Sequence, residues 1–370
     1  MIVSIATGLG LQKRITEKVT SFTGHFQILP YPPDDNLENV LEDADSLLTF
    51  LRHQPDILHV QKISEKRALL KTENDFEGVV LKGIDSTFDW NSFDAFIRAG
   101  KRPDFSTADF NDSLVVSETL MQKLNLNLGD EVALFFVRDQ GRPPLVRRLT
   151  VGGTFTTGME IFDSQYILGH HKHLQQIMKW PTNAAQRLEV FVRKPKDAEK
   201  LADYFTARLP MSADTWLAQN RFPEIFKWIE LFDINIYLIL IIMLAVGLVN
   251  TIVALLTLIL ESKRHIGLFK AIGASNAQLR SLYRYRSLYI MGYGLFWGNV
   301  LGLGFCILQS TTGFLKLDPE VYFVDKVPIA IEIWHIVALN ALVVVSGYLS
   351  MNLPVRIISR IDPTESMKAF

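Results

Sequence analysis

Cysteine is almost absent from this sequence of 370 residues, which contains Cys306 alone. A disulfide within the chain is therefore excluded, and any folded domain must be stabilised by its hydrophobic core. A P-loop is also missing, because Gly-x-x-x-x-Gly-Lys-Ser/Thr, whose backbone N–H groups cradle phosphates, does not occur. We predict that the chain does not bind ATP itself and has no cofactor.

Motifs of hydrolytic enzymes are missing as well. No Gly-x-Ser-x-Gly, no His-Glu-x-x-His and no cysteine pair occurs, so we predict no catalytic residue and no enzyme activity. The best metal candidate is Gly-His-His-Lys-His, with His170, His171 and His173. Adjacent histidines without a carboxylate ligand pattern are usually solvated, so we predict solvated imidazoles and no metal site.

Charge is missing from three long apolar runs in the last third of the chain. Residues 234–260 contain no Asp, Glu, Lys or Arg and exceed the roughly 20 residues that cross a bilayer. The same residue types are absent from residues 287–315 and 333–353. Because ionisable residues within spans mark ion pathways, their absence disfavours a proton- or ion-coupled carrier. We predict transmembrane helices at about 234–260, 287–315 and 333–355.

Lysine and arginine are concentrated on one side of these spans. The basic residues between the first two spans are Lys263, Arg264, Lys270, Arg280, Arg284 and Arg286, whereas Lys316 and Lys326 alone lie between the last two. The positive-inside rule then places the first loop and the C-terminal tail in the cytoplasm, and residues 20–225 outside. The net charge of −1 averages a polar segment with apolar spans and says little about partners, and we predict no nucleic-acid partner.

The N-terminus is apolar but too short to cross a membrane. MIVSIATGLGLQ is about half a span long, and it has neither a basic n-region nor a small-residue cleavage site. A large outside domain needs an export element before it, so we predict that residues 1–19 are the end of a truncated first span. The natural protein would then have four spans. The alternative is that residues 1–11 begin a soluble helix.

The polar residues 20–225 mix strand-like and helix-like patterns. Strands are predicted at 25–29, 79–81, 131–137, 149–155 and 188–193, and helices at 37–53, 118–124, 173–179 and 196–209. We predict an extracytoplasmic α+β domain of two lobes. One lobe would comprise about 25–75 with 185–215, and an inserted lobe about 76–184. The remaining residues, 226–370, would form an α-helical transmembrane domain.

Small and polar residues inside the predicted spans indicate helix packing. Gly294, Gly298 and Gly302 are four residues apart, which places them on one helix face that can approach a neighbouring span or a second subunit closely. The alternative is that these glycines occur there by chance. Polar residues are costly against lipid, so five of them are predicted to face protein or a cavity: Asn250, Asn299, Gln309, His335 and Asn340.

A basic, amphipathic stretch, ESKRHIGLFKAIGAS, follows the first complete span. The apolar residues Ile266, Leu268, Phe269 and Ile272 recur at helical spacing beside basic residues, and Ala274-Ser275-Asn276 has the pattern of a new helix start. We predict a short cytoplasmic helix at 262–275 whose apolar side docks in a groove of a partner. Anchoring of the basic residues to lipid headgroups is the alternative, but it leaves the apolar row unexplained.

This stretch resembles the coupling region of the FtsX-like and lipoprotein-releasing family of ABC-transporter permeases. The family pattern is an acidic residue, two or three basic residues, Ile-Gly, two apolar residues, Lys/Arg-Ala, an apolar residue and Gly-Ala-Ser. The residues that the resemblance assigns to ATPase coupling are Glu261, Lys263, Arg264, Ile266, Gly267, Leu268, Lys270, Ala271, Gly273, Ala274 and Ser275. Segments 81–85, 126–136, 151–177, 321–331 and 356–369 also resemble the lipoprotein-release members.

The resemblance implies a permease of the bacterial inner membrane with four spans and a large periplasmic domain. It implies a dimer of identical or different permeases, and a cytoplasmic ABC ATPase that binds the ATP and docks on helix 262–275. The transported substrate would be a lipoprotein taken from the membrane lipid, passed to a periplasmic chaperone or adaptor. Alternatives are an efflux or mechanotransmission permease, an FtsX-like regulator of cell-wall hydrolases, and a receptor without transport activity.

Overall fold

The chain separates into a sheet-rich unit and a helical unit. The computed structural model describes residues 1–31, 39–72, 75–105, 111–137, 143–318 and 322–355. The sheet unit comprises the described residues of Arg14–Phe226 and Asp318–Asp325. The membrane unit comprises Met1–Lys13, Lys227–Leu317 and the described residues of Lys326–Phe370.

Helix α1 (Ile2–Thr23) begins in the membrane unit and ends in the sheet unit. The elements that follow in the sheet unit are β1 (Phe26–Pro30), α2 (Ala44–Arg52), β2 (Ile57–Lys71), β3 (Phe76–Ile84), α3 (Trp90–Phe93), β4 (Ile97–Gly100), β5 (Ser113–Ser117), α4 (Glu118–Lys123), β6 (Glu131–Phe136), β7 (Leu145–Phe155), α5 (Glu160–Asp163), β8 (Tyr166–His170), α6 (His171–Met178), β9 (Arg187–Val192), α7 (Ala198–Thr206), β10 (Ala213–Leu217) and α8 (Ala218–Arg221).

One lobe of the sheet unit is a four-stranded antiparallel sheet with the strand order β10-β1-β9-β2. Its elements follow the chain order β1-α2-β2-β9-α7-β10, which is the βαββαβ arrangement of a ferredoxin-like fold. Apolar residues of the two helices, such as Leu51 and Phe205, share a buried cluster with Phe26 and Val190 of the sheet. Burial of these side chains holds the lobe together.

The second lobe is inserted between β2 and β9, and its strands form a closed ring. β2 pairs with β3, and the ring continues through β8, β5, β7 and β6 before β6 pairs again with β2. Side chains such as Leu70, Leu81, Val116 and Leu134 fill its interior. Because β6 pairs with both β7 and β2, the ring closes without a free edge strand. β2 belongs to both lobes.

The structure confirms the five predicted strands as β1, β3, β6, β7 and β9. It also confirms three of the four predicted helices, as α4, α6 and α7. The ends of α4 and α6 lie within two residues of the predicted ends, and those of α7 within three. The helix predicted at 37–53 is too long, because residues 39–43 are not helical and α2 begins at Ala44. Five strands were not predicted from the sequence: β2, β4, β5, β8 and β10.

The membrane unit contains α9 (Pro223–Glu261, whose first turn lies in the sheet unit), α10 (Lys263–Ala271), α11 (Asn276–Thr312), α12 (Ile333–Ser350) and α13 (Asn352–Val355). Among the described residues, three helical stretches are long and apolar enough to cross a membrane: Pro223–Glu261, Asn276–Thr312 and Ile333–Val355. These coincide with the three predicted spans.

The predicted span boundaries need correction. Two of the helices extend well beyond the apolar runs at their N-terminal ends, since α9 begins at Pro223 and α11 at Asn276. The second helix ends at Thr312 instead of residue 315, because Gly313 adopts a φ of +60° and caps it. The fourth span that the sequence predicted stays a prediction.

Candidate functional site

The segment between α9 and α11 folds as a helix followed by a sharp corner. The Ala274 N–H donates to the Phe269 carbonyl at 2.9 Å, and the Gly273 N–H donates to the Lys270 carbonyl at 3.0 Å. This is a Schellman motif, which requires the left-handed backbone that Gly273 adopts with a φ of +100°. The helix predicted at 262–275 therefore ends at Ala271.

The corner also begins the next helix. The Ser275 hydroxyl accepts the Gln278 N–H at 3.3 Å, and the Ser275 N–H donates to the Gln278 side chain at 2.9 Å. This reciprocal capping box satisfies two N–H groups at the start of α11. The Gly-Ala-Ser sequence thus combines the end of α10 with the start of α11 and fixes the direction between them.

One side of α10 is buried against the neighbouring helices. Ile266 is fully buried, and Gly267 is buried beside it. Ile266 belongs to an apolar cluster whose other buried members are Ile259, Leu279, Tyr283 and Val355. These residues come from α9, α11 and α13, so the cluster attaches α10 to the ends of three other helices.

The other side of α10 exposes large apolar residues. Leu268 is 53% exposed, Phe269 is 42% exposed, and Ile272 at the C-cap is 74% exposed. Positions i, i+1 and i+4 lie on one helix face, so the three side chains form a continuous row, here called the outer row. Phe269 and Ile272 were not among the residues assigned to coupling, although their spacing indicates this face.

The remaining coupling candidates surround these two faces. Those exposed to solvent are Glu261, Lys263, Arg264, Ala271, Gly273 and Ser275, and those half-buried are Lys270 and Ala274. Because the basic residues are beside the outer row and not within it, the segment presents an apolar strip with a positive border. Such a strip suits a partner groove with acidic edges.

A cavity of about 620 Å³ lies between the helices of the membrane unit. Residues of α1, α9, α11 and α12 line it, and most of the lining is apolar. Gly294, Gly298 and Gly302 all contribute to its wall. Its volume is within the range of roughly 300–1,000 Å³ that is typical of sites for small molecules.

The glycine row opens mainly onto this cavity. A Cβ atom added at Gly294 or Gly298 would have no neighbour within 4 Å, whereas one at Gly302 would meet Ile2 of α1 at 3.4 Å. Within the described chain, only Gly302 of these three closely approaches another helix. Packing of the row on a second subunit stays a prediction.

Two amides in the cavity wall hydrogen-bond to each other. Asn299 of α11 donates to the Asn340 carbonyl oxygen at 2.8 Å, and Asn340 of α12 donates to the Asn299 carbonyl oxygen at 2.9 Å. Each NH₂ also donates to a backbone carbonyl of its own helix, that of Leu295 or Ile336. The predicted role of polar residues in joining helices is observed for this pair.

We expect that replacing either Asn299 or Asn340 alone with leucine lowers the melting temperature in detergent, because the remaining amide loses its partner among apolar helices. The double leucine variant should be less damaged than the sum of the two single effects, with a coupling of about 1 kcal/mol. Thermal unfolding of the parent and the three variants measures this coupling, and simple additivity would contradict the pairing.

The three histidines of the sheet unit are buried, so the prediction that they are solvated is wrong. His170, His171 and His173 are each at most 3% exposed. Phe105 stacks on His170 with the ring centroids 5.2 Å apart, and the His173 ring lies 3.0 Å from the carbonyl oxygen of Asn111. Sequence adjacency could not show this, because residues far along the chain cover the rings.

Burial keeps these imidazoles neutral. It lowers the pKa of His171 to about 4, although the nearby Asp85 acts in the opposite direction. It also lowers the pKa of His170 to about 4, with a further contribution from Lys172. Among the described residues, no group of three or more His, Cys, Asp and Glu side chains is arranged to hold a metal ion.

Comparison with known protein families finds a match for the segment that contains α10 and the spans. Residues 237–363 match the model of the FtsX-like permease C-terminal domain. This part of the chain is an FtsX-like permease domain. Members of this family are non-catalytic transmembrane subunits of ABC transporters, and the permease is therefore a membrane protein of the bacterial inner membrane.

Relatives extend the match beyond that domain. The permease is 21% identical to the lipoprotein-releasing system transmembrane protein LolC of Neisseria meningitidis over 385 aligned positions, which cover 100% of this chain and 90% of that protein. It is 18% identical to LolC of Xylella fastidiosa with the same coverage. It is 19% identical to LolE of Haemophilus influenzae, over 89% of this chain and 81% of that protein.

Two crystal structures are similar to part of the permease. One is the extracellular domain of the ABC-type transporter YknZ from Gram-positive bacteria, with 14% identity, a TM-score of 0.35 and coverage of 52% of this chain and 98% of that chain. The other is the periplasmic region of MacB from Actinobacillus actinomycetemcomitans, with 15% identity, a TM-score of 0.37 and coverage of 56% and 95%. The family assignment rests on the sequence matches.

Proposed function

We propose that the permease belongs to an ABC complex that uses ATP to release lipoproteins from the inner membrane. The observation that carries this proposal is the alignment with LolC across the whole chain and 90% of that relative. The permease has no P-loop, so the ATP would be bound and hydrolysed by a separate cytoplasmic subunit.

The outer row of α10 is the proposed docking face for that ATPase subunit. Leu268, Phe269 and Ile272 would insert into a groove of the ATPase, and the basic residues beside them would meet its edges. The buried face, with Ile266, would hold α10 on the transmembrane helices. A movement of the docked ATPase would therefore be passed to α9 and α11.

The proposed topology is multi-pass, with α10 in the cytoplasm and the sheet unit outside the membrane. The concentration of Lys and Arg between the first two spans supports this orientation. A second permease, identical or different, would complete the complex, and the glycine row is a candidate for that contact. A periplasmic chaperone or adaptor would receive the released lipoprotein.

The cavity of the membrane unit would shelter the acyl chains during release. Each buried CH₂ group contributes roughly 0.8 kcal/mol to membrane anchoring, so several acyl chains cannot leave the bilayer without an energy source and an apolar environment. The cavity offers such an environment, with the polar Asn299 and Asn340 at one place in its wall. All N–H groups of these two side chains are used within the protein, so an amide N–H of the acylated lipoprotein would donate to a remaining lone pair of either side-chain oxygen.

Reconstitution of the permease tests the proposed function. The full-length protein would be expressed with its neighbouring genes, purified in mild detergent, and its co-purifying proteins identified by mass spectrometry. After reconstitution in liposomes with a triacylated lipoprotein and a soluble acceptor, ATP should transfer the lipoprotein to the supernatant. Co-purification of wall hydrolases without an ATPase, or no ATP-dependent release, would contradict the proposal.

Filling the cavity should block release without disturbing the fold. Gly298→Leu adds a side chain where no atom lies within 4 Å of the new Cβ position, so we expect normal insertion and ATPase association but at least a tenfold loss of release. Gly292→Leu is the matched control, because that glycine is also unobstructed but does not line the cavity. Equal release by the two variants would exclude the cavity as the shelter.

A further inference from the structure

The end of α1 and the start of α9 meet on the sheet unit. Phe22, in the last turn of α1, stacks on Phe162 with a centroid distance of 4.4 Å. Phe222, immediately before α9, contacts the same Phe162 ring edge-on at 5.3 Å. One aromatic side chain thus contacts both the last turn of α1 and the residue that precedes α9.

A buried lysine ties the end of α1 to two strands. Lys82 of β3 donates to the Phe22 carbonyl at 2.5 Å and to the Glu189 carboxylate of β9 at 2.8 Å. The side chains of Lys82 and Glu189 are 1% and 0% exposed. Gln61 of β2 also donates to Glu189 at 2.8 Å. The C-terminal end of α1 is therefore held by the Lys82 ammonium. That ammonium is paired with Glu189, which in turn accepts a hydrogen bond from Gln61.

A largely buried arginine ties the start of α9 to strands β1 and β2. Arg221 of α8 donates to the Glu65 carboxylate of β2 at 2.5 Å and to the Gln27 side chain of β1 at 3.0 Å. Arg187 of β9 donates to the same two groups, at 3.4 Å to Glu65 and 3.2 Å to Gln27. Two guanidinium groups thus share one carboxylate and one amide inside the unit.

The Glu65 carboxylate is charged despite its burial. Burial alone would raise the pKa of Glu65, but Arg187, Arg221 and Lys82 outweigh it and hold that pKa at about 2. A buried ionic cluster is often no more stabilising than apolar side chains of similar volume, because desolvation offsets the attraction. The cluster instead favours one arrangement of these elements, because any other arrangement would leave a buried charge without its partner.

A third segment joins the same unit. The Lys18 ammonium of α1 donates to the Phe323 carbonyl at 2.7 Å, and Phe323 adopts a left-handed backbone with a φ of +58°. Phe323 lies between α11 and α12, in the short segment that belongs to the sheet unit. The backbone of a bulky residue is rarely found in this conformation, and here it is held by the lysine.

We propose that five residues, here called the ion clamp, are positioning residues that fix the end of α1 to β3 and β9 and the start of α9 to β1 and β2: Glu65, Lys82, Arg187, Glu189 and Arg221. The two helix ends then keep one spacing and move together with both lobes. The role in transport rests on the proposed function, whereas the fixed spacing does not.

Distances between spin labels test the clamp in the full-length permease in nanodiscs. Labels at Arg14→Cys and Glu224→Cys, both exposed and on either side of the clamp, would be introduced into a Cys306→Ala background. We expect a single narrow distance in the parent. Glu65→Gln should broaden the distribution at least twofold, because both guanidinium groups lose their shared carboxylate.

Arg221→Lys is the second variant, since it keeps the charge but cannot contact Glu65 and Gln27 with a planar fork. We expect it to fold and to broaden the distribution in the same direction. Leu134→Ala, in the core of the inserted lobe, is the control for a loss of stability alone and should leave the distance narrow. A narrow distance in folded Arg221→Lys would overturn the clamp, as would equal broadening in Leu134→Ala.

The role in transport is measured on the same proteins. Clamp variants should keep ATPase association but lose at least tenfold in ATP-driven lipoprotein release, and Leu134→Ala should retain release at a temperature where it is folded. Broad distances with normal release would show that the clamp is not used in transport. Failure of the parent to release lipoprotein would contradict the proposed function and leave the distance result unaffected.

Discussion

The Leu268→Asp permease should insert in the membrane normally but lose its ATPase subunit. Leu268 is 53% exposed in the outer row, so aspartate is tolerated while α10 is free in water. In the docked state the carboxylate would be desolvated without a partner, and a cost of about 2 kcal/mol or more weakens binding roughly 30-fold. Co-purification with the ATPase, followed by titration in detergent, measures the loss.

Ala277→Asp is the matched control for Leu268→Asp. It adds the same charge at an exposed position in the first turn of α11, where a helix N-terminus favours an acid. We expect unchanged ATPase binding. Gly267→Asp is a different experiment, because Gly267 is buried beside Ile266 and the new charge would loosen the attachment of α10 itself. Equal binding by Leu268→Asp and the parent would disprove the docking face.

Acidification should destabilise the sheet unit well above the pH at which carboxylates titrate. The pKa of His170 and of His171 is about 4 in the folded chain, below the value of about 6.5 for a solvated histidine. The unfolded chain therefore binds more protons between these values, so stability is complete above pH 6.5 and falls as the pH decreases towards 4. At pH 5 the loss is about 2 kcal/mol per histidine, or roughly 30-fold in the unfolding equilibrium.

Hydrogen–deuterium exchange of α6, corrected for the intrinsic effect of pH, measures this loss in the full-length permease. Protection should fall between pH 7 and 5 in the parent and fall less in His171→Leu, which removes one of the titrating groups. His53→Leu is the control, because His53 is exposed at the end of α2. The same pH dependence in the parent and in His171→Leu would show that burial of this ring does not control stability.

Secondary structure was predictable where apolar residues alternate regularly with polar ones. β6 and β7 have this pattern, with an inner face such as Val132 and Leu134 and an outer face open to solvent. β2 does not, although it is the longest strand. Its centre carries the buried polar residues Gln61 and Glu65, whose partners lie on β9 and α8, and this conceals the period of two.

The candidate site shows the same limit. The proposed coupling segment was recognisable because its residues are local: one stretch contains the helix, the Gly273 corner and the Ser275 cap. Which side of α10 is exposed was not predictable, since Ile266 and Leu268 are equally apolar and only the surrounding helices distinguish the buried face from the exposed face. The ion clamp combines residues from four separate segments, β2, β3, β9 and α8, so no single motif indicates it.

β2 is a single long strand that runs through both lobes of the sheet unit. The strand has 15 residues and pairs with β9 along one part and with β3 and β6 along the other, without a break between the lobes. At about 3.3 Å per residue it is roughly 50 Å long, so a rotation of about 10° at one end carries the other through an arc of about 9 Å. A small tilt of the helix ends is thereby enlarged at the far side of the inserted lobe, without any hinge between the two lobes.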